Sequence, residues 1–193
     1  MAGVVLAAGT GTRMGRPKAL VGDERGAWLP RAVRLLLEGG CAPVLTVLGA
    51  SAHDAARLLP DDPRVTPLVA PEWSEGLAGS LRAALAAAAE LGSKGPVGEG
   101  PLALAVTLVD LPHLDPEALR RVLASPVGPA TLRRAVYSGV PGHPVLIGRD
   151  HWATLGSELA GDRGAGPYLA AHGAVEVDCS GLGGDRDQDE PLS

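Results

Sequence analysis

Short apolar runs alternate with amphipathic stretches along the first two thirds of the chain. Residues 4–8 are apolar and end in a glycine-rich loop, residues 9–15. Leu29, Ala32, Val33, Leu36 and Leu37 recur at helical spacing, with Arg31, Arg34 and Glu38 opposite, and Gly39-Gly40 ends the pattern. Residues 44–48 form a second apolar strand. Ser51 and Asp54 have capping-box-like spacing for a short helix to Leu59. A third strand is expected over residues 65–69. Gly79 and Ser80 lead into an alanine-rich helix through Leu91, with Ser80 as its N-cap. Residues 102–109 are apolar without a break, the pattern of a strand covered on both sheet faces. Asp115 as N-cap and Pro116 at the first helical position start another helix.

After about residue 125 the rhythm changes. Strands are expected over residues 131–137 and 144–147, flanking a turn at 139–142. Short helices follow over 151–159 and 166–172, then a strand over 175–177 and a polar tail, residues 183–193. Residues 92–101 are a low-complexity loop. Strand–helix alternation predicts a single α/β domain in three layers, with a mostly parallel sheet and a β-rich C-terminal third. Ligands of such sheets sit beyond the carboxyl ends of the strands. The glycine loop and Asp110 both fall at that edge.

Composition narrows the picture. The 193 residues carry 17 Lys+Arg against 22 Asp+Glu, a formal charge of −5, which argues against a nucleic-acid partner. Two cysteines, Cys41 and Cys179, exclude a disulfide scaffold and a thiolate zinc site, and read as buried thiols in a reducing cytoplasm. No apolar stretch is long enough for a membrane span, and the first residues read as a strand rather than a signal peptide. Phe is absent, so Trp28, Trp73 and Trp152 are expected to serve packing. His53, His113, His151 and His172 have no metal-ligand spacing. Lysine occurs only at Lys18 and Lys94, which singles out Lys18 in the most distinctive loop.

That loop, LAAGTGTRMGRPK over residues 6–18, is not a Walker A loop. It also misses the dinucleotide fingerprint, because Gly15 comes one residue late and the second strand ends in Gly49-Ala50 without an acid. What remains is a glycine loop whose main-chain N–H groups can approach phosphate, with Arg13, Arg16 and Lys18 beside it.

The string LAAGTGTRMGRPKAL resembles the signature loop of nucleotidyltransferases that activate sugars, isoprenoid precursors and molybdopterin. GLAGSLRAAL (76–85), VDLPHLDPEAL (109–119), SGVPGHPVLI (138–147) and LAGDRGAGPYL (159–169) resemble the molybdenum cofactor cytidylyltransferases and their guanylyltransferase relatives. The resemblance implies a Rossmann-like fold of the nucleotide-diphospho-sugar transferase type, one domain over 1–193. Residues 1–125 would bind nucleotide, and 126–193 would bind the acceptor and supply the tail. The implied reaction moves NMP from an NTP to a phosphorylated acceptor and releases pyrophosphate. CTP is the first choice and GTP the alternative, with molybdopterin or molybdenum cofactor as acceptor.

Site roles follow from the same resemblance. Leu6, Ala7, Ala8, Gly9, Thr10, Gly11, Arg13, Met14, Gly15, Lys18, Gly79 and Ser80 would contact the nucleotide. Arg13, Lys18 and Asp110 would be catalytic. Asp110 would hold Mg²⁺, or Mn²⁺, with Asp187 as second carboxylate and Asp185 next in line. Here the family's Asp-x-Asp-Thr-Pro ending reads Asp185-Arg-Asp187-Gln-Asp189-Glu-Pro191. The strand at 175–177 would bring that tail to the site if it joined the sheet beside residues 102–109. His143 and Asp162 would face the acceptor. A cytoplasmic enzyme with a molybdoenzyme or its chaperone as partner is implied. A relative with another acceptor, or a nucleotide-binding regulatory domain without catalysis, remains an alternative.

Overall fold

The computed structural model describes residues 1–93, 100–184 and 188, with the side chains of Arg13 and Ser93 outside that description. Strands β1 (Ala2–Ala7), β4 (Val44–Leu48), β5 (Val65–Val69) and β6 (Ala103–Leu108) form the parallel half of a seven-stranded sheet. Strands β7 (Leu132–Tyr137), β8 (Val140–Gly148) and β9 (Val175–Asp178) complete the order β5-β4-β1-β6-β8-β7-β9. β8 runs antiparallel to both β6 and β7, and β9 lies parallel to β7. A two-stranded ribbon, β2 (Gly22–Asp23) with β3 (Gly26–Ala27), stands apart and was not foreseen.

Alternation along each strand feeds two cores. Val5, Ala7, Leu48, Ala105 and Leu146 face α1 (Trp28–Glu38) and α4 (Pro116–Val122), where Trp28, Leu29, Val33, Leu36 and Leu119 meet them. Val4, Leu6, Val47, Leu104, Val106, Val145 and Ile147 face α3 (Leu77–Ser93), α5 (Trp152–Glu158) and α6 (Gly166–Ala171). At about 1.5–3 kcal/mol for each large apolar side chain removed from water, these two layers are the main source of stability. Trp28 and Trp152 are buried and donate their indole N–H to Asp23 and to the Ile147 carbonyl, so both pack as expected. Cys41 and Cys179 are free and buried, and burial pushes the Cys41 thiol up to about 11. No helix among the described residues is long and apolar enough to cross a membrane.

Four local expectations are corrected. Ser51 does not cap α2 (Ala52–Ala56): it sits at φ 58° and its side chain makes no cap bond. Ser80 is not an N-cap, because α3 begins three positions earlier at Leu77 and Ser80 is buried in its first turn. β8 begins at Val140, so the hairpin turn shrinks to Ser138-Gly139, both at positive φ (50° and 83°) as a twisted two-residue turn requires. β9 joins the sheet at its edge beside β7, not beside β6, whose two sides are already taken by β1 and β8.

Candidate active site

The carboxyl end of β1 opens into the glycine loop. Gly11 and Gly15 flank a 3₁₀ turn, Thr12–Met14, both in the left-handed region at φ 61° and 70°. The loop doubles back tightly enough that a Cβ on Gly11 would lie 2.0 Å from the Arg16 carbonyl oxygen. Pro17 then starts a second 3₁₀ turn, Lys18–Leu20, whose first residue is Lys18. Its Nζ donates to Asp110 Oδ2 at 2.5 Å. Both side chains are mostly covered, at 19% and 12% exposure, so the attraction is screened less than at the surface. Asp110 lies two residues past the end of β6, and the Val109 N–H between them donates to the Leu6 carbonyl, which ties the two strand ends together. Asp115 caps α4 by accepting from the Glu117 N–H at 2.8 Å, so Asp110 has no capping duty.

These groups wall a cavity of about 480 Å³. Leu6, Ala7, Ala8, Gly9, Thr10 and Gly11 form one side, with Lys18 and Asp110 at its end. Ser80 lines the far side together with Trp73, Ser74, Gly76 and Leu77. Trp73 was expected only to pack; here it also lines the cavity. Gly79 stands behind this wall, where a Cβ would come 2.2 Å from the Glu72 carbonyl. Met14 and Gly15 shape the loop but are not among the cavity's lining residues, and Met14 packs on the core beneath. Asp162 also lines this cavity, with Oδ1 against Gly76, and so lies apart from His143. The Arg13 side chain, Asp185 and Asp187 lie outside the described residues. Gln188 is within them, and its N–H donates to the Asp110 carbonyl at 2.9 Å.

Sequence reasoning missed a brace behind the site. Arg31, read as a solvent-facing helix residue, donates to both Asp23 oxygens at 2.6 and 2.7 Å and to the Pro112 carbonyl. It clamps the segment after Lys18 to the loop after Asp110. Burial pushes the Asp23 carboxyl up, but hydrogen bonds from Arg31 and the Arg25 amide outweigh it and hold the group below the usual range. Nothing in the helical spacing marks Arg31, because its partners lie in other elements.

A second cavity, about 360 Å³, continues from the first and shares Leu6, Leu77 and Leu108 with it. His143 and Arg134 line it among aliphatic side chains. Burial pushes the His143 imidazole down to about 4, against the opposing pull of the Asp110 charge, so it is neutral at pH 7.

Among the described residues two carboxylates, Asp110 and Asp162, line the first cavity. No group of three or more His, Cys, Asp or Glu is gathered for a metal among the described residues. Asp110 is instead a nearly buried carboxylate facing a cavity sized for a nucleotide, which matches Mg²⁺ held by one or two carboxylates plus phosphate oxygens.

The parallel half-sheet, the glycine loop at its carboxyl edge and the charged pair beside it define a nucleotidyltransferase of the Rossmann-like α/β class. The chain belongs to the MobA-like NTP transferase domain family, whose model matches residues 3–176. It is 34% identical over 176 residues to nicotine blue oxidoreductase of Paenarthrobacter nicotinovorans, covering 86% of this chain and 80% of the relative. It is 24% identical over 146 residues to the molybdenum cofactor cytidylyltransferase of Escherichia coli K12, covering 76% and 69%. Among solved structures, Rv0371c of Mycobacterium tuberculosis H37Rv matches with a TM-score of 0.76 and 28% identity, over 98% of this chain and 93% of that one. A manganese complex of the same protein matches at 0.71 and 27%, over 97% and 92%.

Proposed function

We propose that the chain transfers NMP from an NTP, CTP in the first place, to a phosphorylated acceptor with release of pyrophosphate. The observation that carries this reading is the Lys18–Asp110 pair at the end of a cavity walled by the main chain of residues 6–11. Both reacting partners are anionic, so catalysis consists mostly of positioning and charge neutralisation. An acceptor phosphate oxygen attacks the α-phosphorus, a new P–O bond forms, and the bond to the β-phosphate oxygen breaks.

Main-chain N–H and C=O groups of Leu6 to Gly11 offer edges for base and ribose without side chains in the way. Arg13 supplies a multi-donor fork for phosphate oxygens, and Lys18 a compact charge for the α-phosphate. Asp110 would hold Mg²⁺ or Mn²⁺, with Asp187 as partner, and that ion would neutralise phosphate charge when bound. Lys18, which pairs with Asp110 here, would turn to the α-phosphate once Asp110 is engaged by the ion. The manganese complex of the Mycobacterium tuberculosis relative supports a divalent ion.

We take residues 1–125 as the donor-binding part and 126–193 as the acceptor-binding part, although Asp162 reaches back into the donor cavity. By motif resemblance, and by the name of the Escherichia coli relative, the acceptor is molybdopterin or its molybdenum form. On that reading the enzyme is cytoplasmic and a molybdoenzyme or its chaperone receives the product.

The test is thermal denaturation with CTP, GTP, ATP or UTP and Mg²⁺, and with a nicotinamide dinucleotide. A ligand at 100 times its dissociation constant adds about 2.7 kcal/mol. CTP is expected to give the largest shift. An equal or larger shift with GTP would move the reading to guanylyl transfer. A shift with the dinucleotide alone would replace it with the redox role that the Paenarthrobacter relative's name states.

A further inference from the structure

Lys18 and Asp110 reach each other from segments that lie outside the seven-stranded sheet. Lys18 opens a single 3₁₀ turn that runs into the β2–β3 ribbon, and among the described strands that ribbon pairs only with itself. Asp110 lies just past β6, and the chain then turns over residues 111–114, where the Leu114 N–H donates to the Leu111 carbonyl. Both segments border α1, which Trp28, Leu29, Val33 and Leu36 anchor in the core beneath. The base of the ribbon is tied to that helix, since the Trp28 N–H donates to the Val21 carbonyl at 2.9 Å.

Arg31, in the first turn of α1, holds both segments at once. One terminal nitrogen donates to the two Asp23 oxygens at 2.6 and 2.7 Å, and the other donates to the Pro112 carbonyl. The Asp23 carboxylate also accepts from the Trp28 indole N–H at 3.1 Å and from the Arg25 amide at 2.8 Å. One anion thus gathers the ribbon and the start of α1. The Arg31 and Asp23 side chains are 20% and 10% exposed, too covered for a solvated surface pair. A guanidinium carries its donors in a rigid planar fork, so the spacing of its two partners is set once both bonds form. Asp23 closes the stretch that begins at Lys18, and Pro112 opens the loop that follows Asp110.

We propose that Arg31 is a positioning residue: by bridging Asp23 and the Pro112 carbonyl, it holds the Lys18 turn and the Asp110 loop at the separation at which their side chains face one cavity. Arg31 is not among the residues that line that cavity. It borders a surface groove behind it, with Trp28, Leu35 and Pro112, so it acts on the site only through the two segments it bridges. Without the bridge the two segments move independently, the Lys18–Asp110 pair loosens, and a metal ion and an α-phosphate no longer meet groups at a fixed spacing. The last of these consequences rests on the reading of the first cavity as the NTP site; the loosening of the pair does not.

Lysine occurs at positions 18 and 94 alone, so ¹⁵N labelling of lysine Nζ in the full chain carrying Lys94→Arg leaves the Lys18 ammonium as the single side-chain signal. The exchange rate of its protons with water reads the bond to Asp110 directly. Arg31→Met is expected to speed that exchange about tenfold or more. Arg31→Lys keeps the charge but not the fork, and Asp23→Asn keeps the shape of the acceptor but not its charge, so each should speed it severalfold. A role confined to stability would lower the urea midpoint of the variants and leave the Lys18 exchange under native conditions at the wild-type rate. That result in folded Arg31→Lys and Asp23→Asn proteins would overturn the proposal, and these two variants decide it if Arg31→Met does not fold. The effect on the site is read from CTP affinity with and without Mg²⁺: the gain that Mg²⁺ brings is expected to shrink about tenfold in Arg31→Lys. An undiminished gain would overturn the proposal as well. A wild-type chain that binds no CTP would defeat the NTP reading instead, and the Lys18 exchange would still decide the role of Arg31.

Discussion

The two adjoining cavities are built from different materials. The first is lined by the mostly small residues 6–11, which leave main chain exposed, and by two charged side chains, Lys18 from a 3₁₀ turn and Asp110 beyond β6. The second is walled by aliphatic side chains from β6, β8, α3 and α6, with one guanidinium and one neutral imidazole. Main-chain walls hold the same donors and acceptors whatever the side chains are, so the first cavity suits a chemistry common to a family. Side-chain walls change with every substitution, so the second sets what is particular to this chain. The same contrast appears in the sheet: parallel strands carry the first cavity, and the antiparallel β8 brings His143 to the second.

The sharpest break of this comparison is Asp110→Asn. It removes the carboxylate that pairs with Lys18 and is proposed to hold the metal. Metal-dependent pyrophosphate release is expected to fall to background in any assay in which the wild type turns over. Next is Lys18→Ala, expected to cost about 10²–10³ in turnover, as loss of one charge-stabilising donor does, with the fold retained. Lys18→Arg should rescue poorly, because a planar fork does not fit where a compact charge sits. Near-normal rates with arginine would show that only a positive charge is needed.

The tail gives a smaller effect. Gln188 donates its N–H to the Asp110 carbonyl, so the chain after β9 returns to the site even though β9 itself lies at the far edge. Asp187→Asn is expected to move pyrophosphate release to severalfold higher Mg²⁺, and deletion after Gly184 should exceed it because the Gln188 bond is lost as well. An unchanged Mg²⁺ curve for Asp187→Asn would leave Asp110 as the single protein ligand.

The smallest effect is on stability against pH. His143 has its folded value lowered to about 4 from about 6.5. The unfolded chain therefore binds the proton first, and stability falls as pH drops from about 6.5 towards 4, by roughly 3 kcal/mol in all, with no contribution above that window. His143→Asn should flatten this part of the profile in chemical denaturation measured without metal. A slope unchanged by the substitution would place the effect elsewhere.

The legibility of the sequence followed the same division. Local patterns marked β1, β4, β6, α1 and the Asp115-Pro116 start of α4, because each is a period, a cap or an uninterrupted apolar run. The loop around Gly11 was legible because only glycine tolerates its left-handed turn so close to the Arg16 carbonyl. Ser51 and Ser80 misled for different reasons: Ser51 stands just before its helix but in the left-handed region with no side-chain cap bond, and Ser80 lies inside its helix. Arg31 and Arg134 went unseen as site residues for one reason. Their partners, Asp23 with Pro112 and Glu176, lie in elements that meet only once the chain has folded. Trp73 lines the first cavity through the same kind of meeting.

The central claim is that nucleotide occupies the main-chain-walled cavity and leaves the side-chain-walled one free. A backbone-amide NMR titration of the full chain with CTP and Mg²⁺ tests it residue by residue. Large shifts are expected at Ala7, Gly9, Gly11, Lys18, Ser80 and Asp110, and small ones at Arg134, Val145 and Leu169. Shifts centred on Arg134 and Leu169, with the residue 7–11 amides unmoved at saturating CTP, would contradict it.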